Sequence, residues 1–579
     1  MNKEAIFHSM DSEYAYPISN DTMVIKLRAK KDDIKKCYLF YGDRFSSEEN
    51  LKIKSVNMKK YSTDEYYDYF IAKFKSEYNR LFYYFKISND DNEFYYYDDK
   101  CHKEADTERV RYYSYPYIRD KDIVKTPKWV KDAVIYQIFP DSFASAHKKL
   151  KLNNSSVMQN GICYERNLGG TIRGIIENID YLIELGVNCV YLNPIFKANS
   201  YHKYDTVDYF EIDPCFGDKN DFRELVDKLH KNGIRVILDG VFNHTSSDFF
   251  AFRDIIKNGK GSKYKDWYII YEYPVNPKKQ ITYETFAYVA NMPRLNTANN
   301  EVMEYILDVG KYWVKEFDID GWRLDVADEI DHNFWRKFRN EVKKLKSEAY
   351  IVGEIWGRCN SFLNGDQFDA VMNYNFTNSV VDYFAKGIMT AEELKNKLES
   401  MKVMYKEPIY DAMMNLIDSH DTNRFLYYCD TVEKLKLATF FQFTYTGAPS
   451  IYYGDELGLN GEKAKGDEEL RKAMPWNKLT HDNELFNHYK KLINIRKENI
   501  ALRRGDLRVV DYNNDNNFIS FLRKFENEKV LILINNGDKN VNIELPQGYE
   551  QIYDLYNDVP VSGESIEVKG KKGYILNLK

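Results

Sequence analysis

The alternation of apolar and polar positions divides the chain into an all-β start, a long α/β middle and an all-β end. Near the start, residues 22–28 alternate strongly and residues 37–41 form a second short apolar run. Residues 81–87 and 94–97 flank an Asn/Asp-rich turn, which is typical of a β-hairpin. Together these runs predict a small, tyrosine-rich β-sandwich over residues 1–125.

After Pro127 the pattern changes to apolar strands that alternate with helical stretches. The strand runs lie at 134–139, 189–192 and 235–238, and the helical stretches lie at 172–185 and near 222–232. Such alternation predicts a parallel sheet with right-handed crossovers. About eight units of this kind continue to residue 505, which predicts an α/β fold, a (β/α)8 TIM barrel over residues 126–505.

A long irregular stretch interrupts this rhythm after the third strand of the barrel. Between His244 and about Ala298 the chain is polar and aromatic, without clear periodicity. Because loops of this length usually serve a function, we expect an excursion domain at about 245–300, over the mouth of the barrel. Alternation returns near residue 507 and predicts a C-terminal β-sandwich over residues 506–579.

Composition narrows the class of protein. The chain has 579 residues, 44% of them hydrophobic, and a net charge of -6, which gives no reason to expect binding to nucleic acid or a membrane surface. The first residues lack an apolar leader, and the chain lacks an apolar run long enough for a transmembrane helix. The 7 cysteines include no CxxC pair, so we expect reduced thiols and a cytoplasmic location. Aromatic residues reach 16%, and such rings suit sugar faces as well as protein packing.

Carboxylates follow several of the apolar runs. The segments are DGVFNH at 239–244, GWRLD at 321–325, GEIW at 353–356 and SHD at 419–421. Barrel enzymes place catalytic groups at the C-terminal ends of their strands, so these acids should meet at one rim. Paired carboxylates beside His and Arg indicate acid–base and nucleophilic chemistry on a polar substrate.

The order of these four segments resembles the α-amylase family, glycoside hydrolase family 13. The MPRLN sequence at 292–296 is similar to the MPKLN motif of the neopullulanase, cyclomaltodextrinase and maltogenic amylase branch. Two segments near the N-terminus, residues 4–8 and 12–17, resemble the N-terminal starch-binding-type module of that branch. The resemblance runs essentially end to end, and four ordered motifs are far more specific than one.

The resemblance implies roles for three acids. It makes Asp325 the nucleophile, Glu354 the general acid/base and Asp421 the transition-state stabiliser. Arg323 lies two residues before Asp325 on the same strand, so it projects to the same face and can hold that charge. Glu354 must start protonated, and a less polar pocket beside Trp356 should raise its pKa.

The resemblance also implies the residues that bind sugar. His244 and His420 resemble the family's hydroxyl donors, and Tyr204 resembles its stacking platform, with His202 beside it in the substrate-binding set. Asp239 and Asn243 are expected to support the site rather than react. The expected residues around neighbouring sugars are Phe286, Trp356 and Tyr374 on the acceptor side and the pair Asp467 and Arg471 on the non-reducing side.

The sequence departs from the branch at three places. Arg294 replaces the usual Lys of MPKLN. The positive charge is kept, but the compact ammonium group is replaced by a planar guanidinium group. The run at 357–362 differs from the usual one, which leaves acceptor preference open. The loop at 142–149 carries two lysines where some relatives bind calcium, so we expect no Ca²⁺ there, no metal ligands and no required cofactor.

These features predict a retaining hydrolase that cleaves α-1,4 bonds in cyclomaltodextrins, maltooligosaccharides and pullulan, with some transglycosylation. An oligo-α-glucosidase or a 4-α-glucanotransferase on the same fold is an alternative. A non-catalytic glucan-binding protein is another, although it would require a broken acid set, and all three acids are present. The resemblance further implies a homodimer in which the N-terminal module of one subunit covers the cleft of the other.

Overall fold

The computed structural model describes residues 1–10, 12–47, 51–106, 109–146, 157–159, 162–164 and 168–579. These residues form two compact units. The first consists of Met1–Lys125, Asn360–Asp366 and Met389–Tyr410, and the second contains the rest of the described chain. Among the helices within these ranges, none is long and apolar enough to cross a membrane.

The first unit is built on a sheet of nine strands. They are β1 (Ala15–Ser19), β2 (Thr22–Lys30), β3 (Lys36–Asp43), β4 (Lys54–Thr63), β5 (Tyr67–Lys75), β6 (Leu81–Ser88), β7 (Glu93–Tyr97), β8 (Lys100–His102) and β9 (Tyr113–Tyr115). The order is β1-β2-β5-β4-β3-β6-β7-β8, with β9 paired to β6. The first half of β4 pairs with β3 and its second half with β5, so β4 joins the two sides of the sandwich. The expected hairpin is the pair β6 and β7.

The middle of the chain contributes twelve further strands within the described ranges. They are β10 (Ile135–Ile138), β11 (Val157–Gln159), β12 (Ile162–Tyr164), β13 (Cys189–Leu192), β14 (Phe196–Ala198), β15 (Thr206–Ile212), β16 (Arg235–Gly240), β17 (Gly321–Leu324), β18 (Tyr350–Gly353), β19 (Ala370–Val371), β20 (Met414–Leu416) and β21 (Ala448–Tyr452). Eight of them form one parallel sheet in the order β19-β18-β17-β16-β13-β10-β21-β20. A parallel bridge between Met372 and Met414 joins its two edges, which closes the barrel. The predicted fold class is confirmed.

The α-helices lie mainly between the barrel strands. They are α1 (Pro140–Phe143), α2 (Ile172–Glu177), α3 (Ile179–Leu185), α4 (Lys219–Lys231), α5 (Phe250–Asn258), α6 (Asn300–Phe317), α7 (His332–Leu345), α8 (Tyr374–Val380), α9 (Ala391–Met404), α10 (Glu407–Tyr410), α11 (Phe425–Cys429), α12 (Val432–Thr444), α13 (Asp467–Leu470), α14 (Glu484–Glu498) and α15 (Ile500–Arg504). Helices α9 and α10 belong to the first unit.

The crossover from β16 to β17 contains the predicted excursion and ends in α6. The side chain of Asn299 accepts hydrogen bonds from the first backbone N–H groups of α6, as a helix cap does. Asp318 then ends the helix in a left-handed conformation. Strand β17 starts at Gly321, where a Cβ atom would lie 2.2 Å from the carbonyl oxygen of Tyr350. Only glycine therefore lets β17 and β18 pair this closely.

The last strands form the C-terminal sheet. They are β22 (Asp506–Asn513), β23 (Phe518–Phe525), β24 (Glu528–Asn535), β25 (Val541–Glu544), β26 (Ile552–Asp554), β27 (Val559–Val561), β28 (Ser565–Val568) and β29 (Lys572–Leu578). Six of them pair in the order β22-β23-β24-β29-β26-β27, and β25 pairs with β28. Phe518, Leu533 and Leu576 are buried in the core of this region. The predicted domain boundaries at 125, 300 and 505 stay predictions.

Candidate active site

Two of the expected acids follow neighbouring strands of the barrel. Asp325 comes directly after β17 and Glu354 directly after β18. The register of the two parallel strands pairs Leu324 with Gly353, so the next residues on both strands lie side by side. Asp325 is 5% exposed and Glu354 is 4% exposed. Both carboxyls are therefore largely shielded from solvent at the C-terminal rim of the barrel.

Arg323 connects these acids to Asp239, which lies near the C-terminal end of β16. Its Nη1 lies 2.8 Å from a carboxylate oxygen of Asp239 and 2.8 Å from one of Asp325. Its Nη2 lies 2.7 Å from Glu354 Oε2. Asp239 also accepts hydrogen bonds from the hydroxyls of Tyr191 and Tyr204. One buried guanidinium thus fixes the positions of three carboxylates.

The environment changes the acidity of Asp325. Burial raises the pKa of Asp325 well above its usual range, and the nearby Glu354 and Asp239 add to the rise. Arg323 opposes this rise, in the direction expected from the sequence, but burial is the larger effect. The carboxyl therefore loses its proton at a higher pH than an exposed aspartate does.

The backbone turns sharply after Asp325. Val326 has a left-handed conformation with φ of 45°, which is rare for a β-branched residue. This turn aims the Val326 N–H at Glu354, which accepts it at 3.2 Å. The side chain of Val326 lines the cavity beside both acids. Strain of this kind is often retained at functional sites, and here it orients the Glu354 carboxyl.

Asp421 belongs to the loop that follows β20. His420 Nε2 lies 2.8 Å from one of its carboxylate oxygens, and Arg471 Nη2 lies 3.0 Å from the other. Burial acts to raise the pKa of Asp421, but His420 and Arg471 outweigh it and hold that pKa well below the usual range. Asp421 is therefore a carboxylate at neutral pH, able to accept hydrogen bonds from sugar hydroxyls.

Two histidines of the site, His202 and His244, have neutral side chains that can donate a hydrogen bond. Burial lowers the pKa of His202 to about 3 and the pKa of His244 to about 4. His202 Nδ1 accepts the Tyr204 backbone N–H at 3.1 Å, so its proton lies on Nε2. Neither ring nitrogen of His244 has a hydrogen-bond partner of good geometry among the described residues. A buried, unpartnered imidazole at the cavity wall can bind a sugar hydroxyl.

His420 connects Asp421 to Tyr204. The amide nitrogen of Gln137 donates to His420 Nδ1 at 2.8 Å, which assigns the ring proton to Nε2 and directs it to Asp421. The ring of Tyr204 stacks on His420 with an interplanar angle of 4°, and its hydroxyl is 2.5 Å from Nε2. One imidazole therefore positions both Tyr204 and Asp421.

These residues surround a cavity of about 560 Å³. Ten of the thirteen residues singled out from the sequence line it: His202, Tyr204, His244, Phe286, Asp325, Glu354, Trp356, Asp421, Asp467 and Arg471. The other three, Arg323, Tyr374 and His420, are outside this lining and are each 3% exposed or less. Trp356 is 52% exposed and stacks on Tyr374 with ring centroids 3.8 Å apart. The cavity volume fits a few sugar rings.

Sequence reasoning missed six lining residues: Val289, Met292, Val326, Asp328, Glu329 and Lys463. Met292 belongs to the MPRLN segment, whose sequence indicates a family motif but does not indicate that it lines the cavity. Lys463 lies in a charged stretch that gave no signal in the sequence. Its Nζ donates to the carbonyl oxygen of Asp421 at 2.5 Å, so it supports the loop of the third acid.

The loop that resembles a calcium site is only partly described. Residues 147–149 lie outside the described residues. Asp141, just before the loop, accepts the backbone N–H groups of Leu168 at 2.9 Å and Gly169 at 3.1 Å. Within the described ranges, no group of three His, Cys, Asp or Glu side chains is arranged to hold a metal ion. The expectation about calcium stays a prediction.

A closed parallel barrel with adjacent buried carboxyls at the C-terminal ends of its strands is the arrangement expected of a barrel-type glycoside hydrolase. Comparisons with known proteins agree with that class. Residues 137–480 match the family model "Alpha amylase, catalytic domain", and residues 1–119 match "Alpha amylase, N-terminal ig-like domain".

Individual relatives narrow the class. The cyclomaltodextrinase of Thermoanaerobacter pseudethanolicus is 42% identical over 100% of both chains. The intracellular maltogenic amylase of Bacillus subtilis strain 168 is 38% identical over 98% of this chain and 97% of its own. A solved cyclomaltodextrinase structure is 38% identical, covers 100% of both chains and superposes with a TM-score of 0.93. The chain therefore belongs to the α-amylase family, in the branch of α-glucan hydrolases that comprises cyclomaltodextrinases, maltogenic amylases and neopullulanases.

Proposed function

We propose that this α-glucan hydrolase cleaves α-1,4 bonds with retention of configuration, through Asp325 as nucleophile and Glu354 as general acid/base. The observation that carries the proposal is the guanidinium of Arg323, which contacts both carboxyls at 2.8 and 2.7 Å. A shared cation holds the two acids as close neighbours. That arrangement suits the retaining mechanism, which needs carboxyls about 5–5.5 Å apart.

The proposed reaction has two steps. In the first, Glu354 gives its proton to the glycosidic oxygen while Asp325 attacks the anomeric carbon, so the leaving sugar departs as an alcohol and a glycosyl ester forms. In the second, Glu354 takes a proton from water or from a sugar hydroxyl, whose oxygen displaces Asp325. Water gives hydrolysis and a sugar gives transglycosylation. The two substitutions restore the original configuration.

The remaining residues bind and orient the sugar. Neutral His202 and His244 donate to hydroxyls, Asp421 accepts from them, and Tyr204 stacks against the ring at the cleavage position. Asp467, which pairs with Arg471 at 3.3 Å, binds the non-reducing side. Phe286 and Trp356 form the acceptor side, and Tyr374 supports the Trp356 ring from behind rather than contacting the sugar as the sequence predicted. Hydrogen bonds to hydroxyls strengthen as the ring flattens toward the transition state, so they favour the rate more than ground-state binding.

Azide rescue tests the roles of the two acids. We expect Asp325→Ala and Glu354→Ala each to lose nearly all turnover of α-maltosyl fluoride. Azide should rescue the first variant with a β-configured maltosyl azide, because one inverting displacement occurs, and the second with an α-configured azide, because two occur. Asp328→Asn is the matched control, since this carboxyl lines the same cavity. Unchanged hydrolysis by Asp325→Ala, or the opposite anomers, would refute the assignment.

We propose cyclomaltodextrins, maltooligosaccharides and pullulan as substrates, with small substrates preferred because a partner subunit covers the cleft. The related cyclomaltodextrinase supports the first of these. Initial rates on β-cyclodextrin, pullulan and soluble starch test the order. Light scattering tests the proposed homodimer through the N-terminal domain. A monomer that still prefers β-cyclodextrin to starch would remove the covered cleft as the reason for that preference.

We also propose a cytoplasmic enzyme that needs no cofactor and no calcium. The name of the related intracellular maltogenic amylase supports the location. The two-carboxyl mechanism needs no metal, and the lysines at 148 and 149 oppose binding of a divalent cation. Incubation with a chelator should leave both the activity and the thermal midpoint unchanged. A loss of either that added Ca²⁺ restores would contradict this proposal.

A further inference from the structure

The MPRLN segment at 292–296 pairs with the chain that follows β16. The Leu295 N–H donates to the Asn243 carbonyl oxygen at 2.9 Å, and the backbones of His244 and Arg294 form an antiparallel bridge. This part of the excursion is therefore fixed beside His244, at the wall of the cavity. The segment also turns the side chain of Arg294 toward the loop after β17.

Arg294 connects the excursion to the loop that carries Asp325. Its Nη2 donates to the backbone carbonyl oxygen of Glu329, and its Nη1 lies 3.5 Å from a carboxylate oxygen of Glu284. The Glu329 N–H in turn donates to the Val326 carbonyl oxygen at 3.1 Å. A short hydrogen-bonded path thus leads from Arg294 to the strained residue next to the proposed nucleophile.

This connection ties together two parts of the cavity wall. The excursion contributes Phe286 and Met292 to the lining, and the loop after β17 contributes Asp328 and Glu329. These two parts of the wall belong to segments far apart in sequence, and Arg294 joins them by its side chain. A shift of one part relative to the other would therefore change the shape of the cavity beside Asp325 and Glu354.

We propose that Arg294 is a positioning residue that sets how the glycosyl ester divides between water and an acceptor sugar. The inference rests on the proposed function, because it needs that ester to form. The pair of Arg294 and Glu284 is one-third exposed on each side and contributes little to stability. The contacts of Arg294 therefore matter mainly because they fix the positions of the two segments that they join. A small displacement of a group that orients a reactant has a large effect on its rate.

The planar guanidinium is suited to this task. It presents several N–H groups in a fixed fork, so it can contact Glu284 and Glu329 at once, whereas a lysine ammonium is a compact charge on a flexible stem. Arg294→Lys therefore keeps the charge and disturbs the geometry. Arg294→Met removes both. Glu284→Gln is the matched control, because it removes the weak ion pair and leaves the hydrogen bond to Glu329.

The test uses the full-length enzyme, β-cyclodextrin as donor and glucose as acceptor. Transfer and hydrolysis products are quantified over a range of glucose concentrations. We expect Arg294→Lys and Arg294→Met to change the ratio of transfer to hydrolysis, and the half-saturating glucose concentration, by at least about threefold. Total donor consumption should change less than the ratio does. Glu284→Gln should keep the ratio of the wild-type enzyme.

Each outcome decides the question. Wild-type ratios in both Arg294 variants, or equal changes in Glu284→Gln and Arg294→Lys, would overturn the inference, and so would a wild-type enzyme that makes no transfer product. If Arg294→Met fails to fold, Arg294→Lys alone decides. A wild-type enzyme that consumes neither β-cyclodextrin nor maltotriose would instead refute the proposed function. The two failures are therefore distinguishable.

Discussion

Arg323→Met removes a cation shared by three buried carboxylates. The guanidinium lies within 2.8 Å of Asp239, Asp325 and Glu354, and none of the four side chains is more than 7% exposed. Breaking a buried ion pair by removing one partner costs about 3–5 kcal/mol, because the remaining charge loses its compensation. Methionine fills a similar volume without supplying charge. We therefore expect the free energy of unfolding of the barrel to fall by at least about 3 kcal/mol.

This loss should grow as the pH rises. Without the guanidinium, burial and mutual repulsion raise the pKa of the carboxyls in the folded state. Burial already raises the pKa of Asp325 in the wild-type protein. A carboxyl whose folded pKa lies above its unfolded value stabilises the protein at low pH, and this stability is lost as pH rises toward the folded pKa. Each additional proton held by the folded variant increases the loss by about 1.36 kcal/mol per pH unit.

Hydrogen exchange of the amides in β16, β17 and β18 measures this quantity without requiring the whole chain to unfold in one step. Arg339→Met is the matched control. Arg339 contacts Asp369 at 2.8 Å, but Lys343 contacts the same carboxylate at 2.8 Å and remains in the variant. The reasoning is refuted if Arg323→Met loses no more stability than Arg339→Met, or if its loss is the same at about pH 5 and about pH 7.

Three further results are expected. Asp239→Asn should move the acidic limb of the kcat/KM profile to lower pH, because Asp239 contributes to the raised pKa of Asp325; an unmoved limb would contradict this. Trp356→Ala should weaken acceptor use by about tenfold while thermal stability changes little, since the ring is half exposed; product analysis with added glucose measures it. Gly321→Ala should cost at least about 3 kcal/mol in urea unfolding, whereas Gly261→Ala, with open space around it, should be nearly neutral.

Much of the barrel could be predicted because its strands are continuous apolar runs. The run at 189–192 is β13 with the same bounds. The helix predicted at 172–185 is instead two helices that meet at Asn178, whose side chain donates to the Gly174 carbonyl oxygen at 2.8 Å. Such competition between a side chain and the backbone leaves no trace in hydrophobic periodicity. Strand β4 was not predicted, because it is rich in lysine and half of its 10 residues are exposed.

The acids of the site could be predicted because each follows a strand, and strand ends meet at one rim. Several other residues that line the cavity could not be predicted from the sequence. Met292, Glu329 and Lys463 line the cavity only because separate loops come together in space. Met292 belongs to the MPRLN motif, but neither that motif nor the sequences of the other two loops indicate that these loops meet. The tie between Arg294 and Glu329 is a contact of this kind, between a side chain and a carbonyl that any residue could supply.

The first unit combines strands from the start of the chain with α9 and α10 from Met389–Tyr410. On a ribosome these parts emerge far apart in time. Roughly 260 residues separate them, and at about 5–20 residues per second the early strands wait on the order of ten to fifty seconds for the helices. During that interval β4 lacks the helix that packs on it, with Ser62 unable to reach Glu399. The N-terminal module is therefore completed late in synthesis, and it cannot be transplanted as a segment ending at residue 125 without losing part of its own structure.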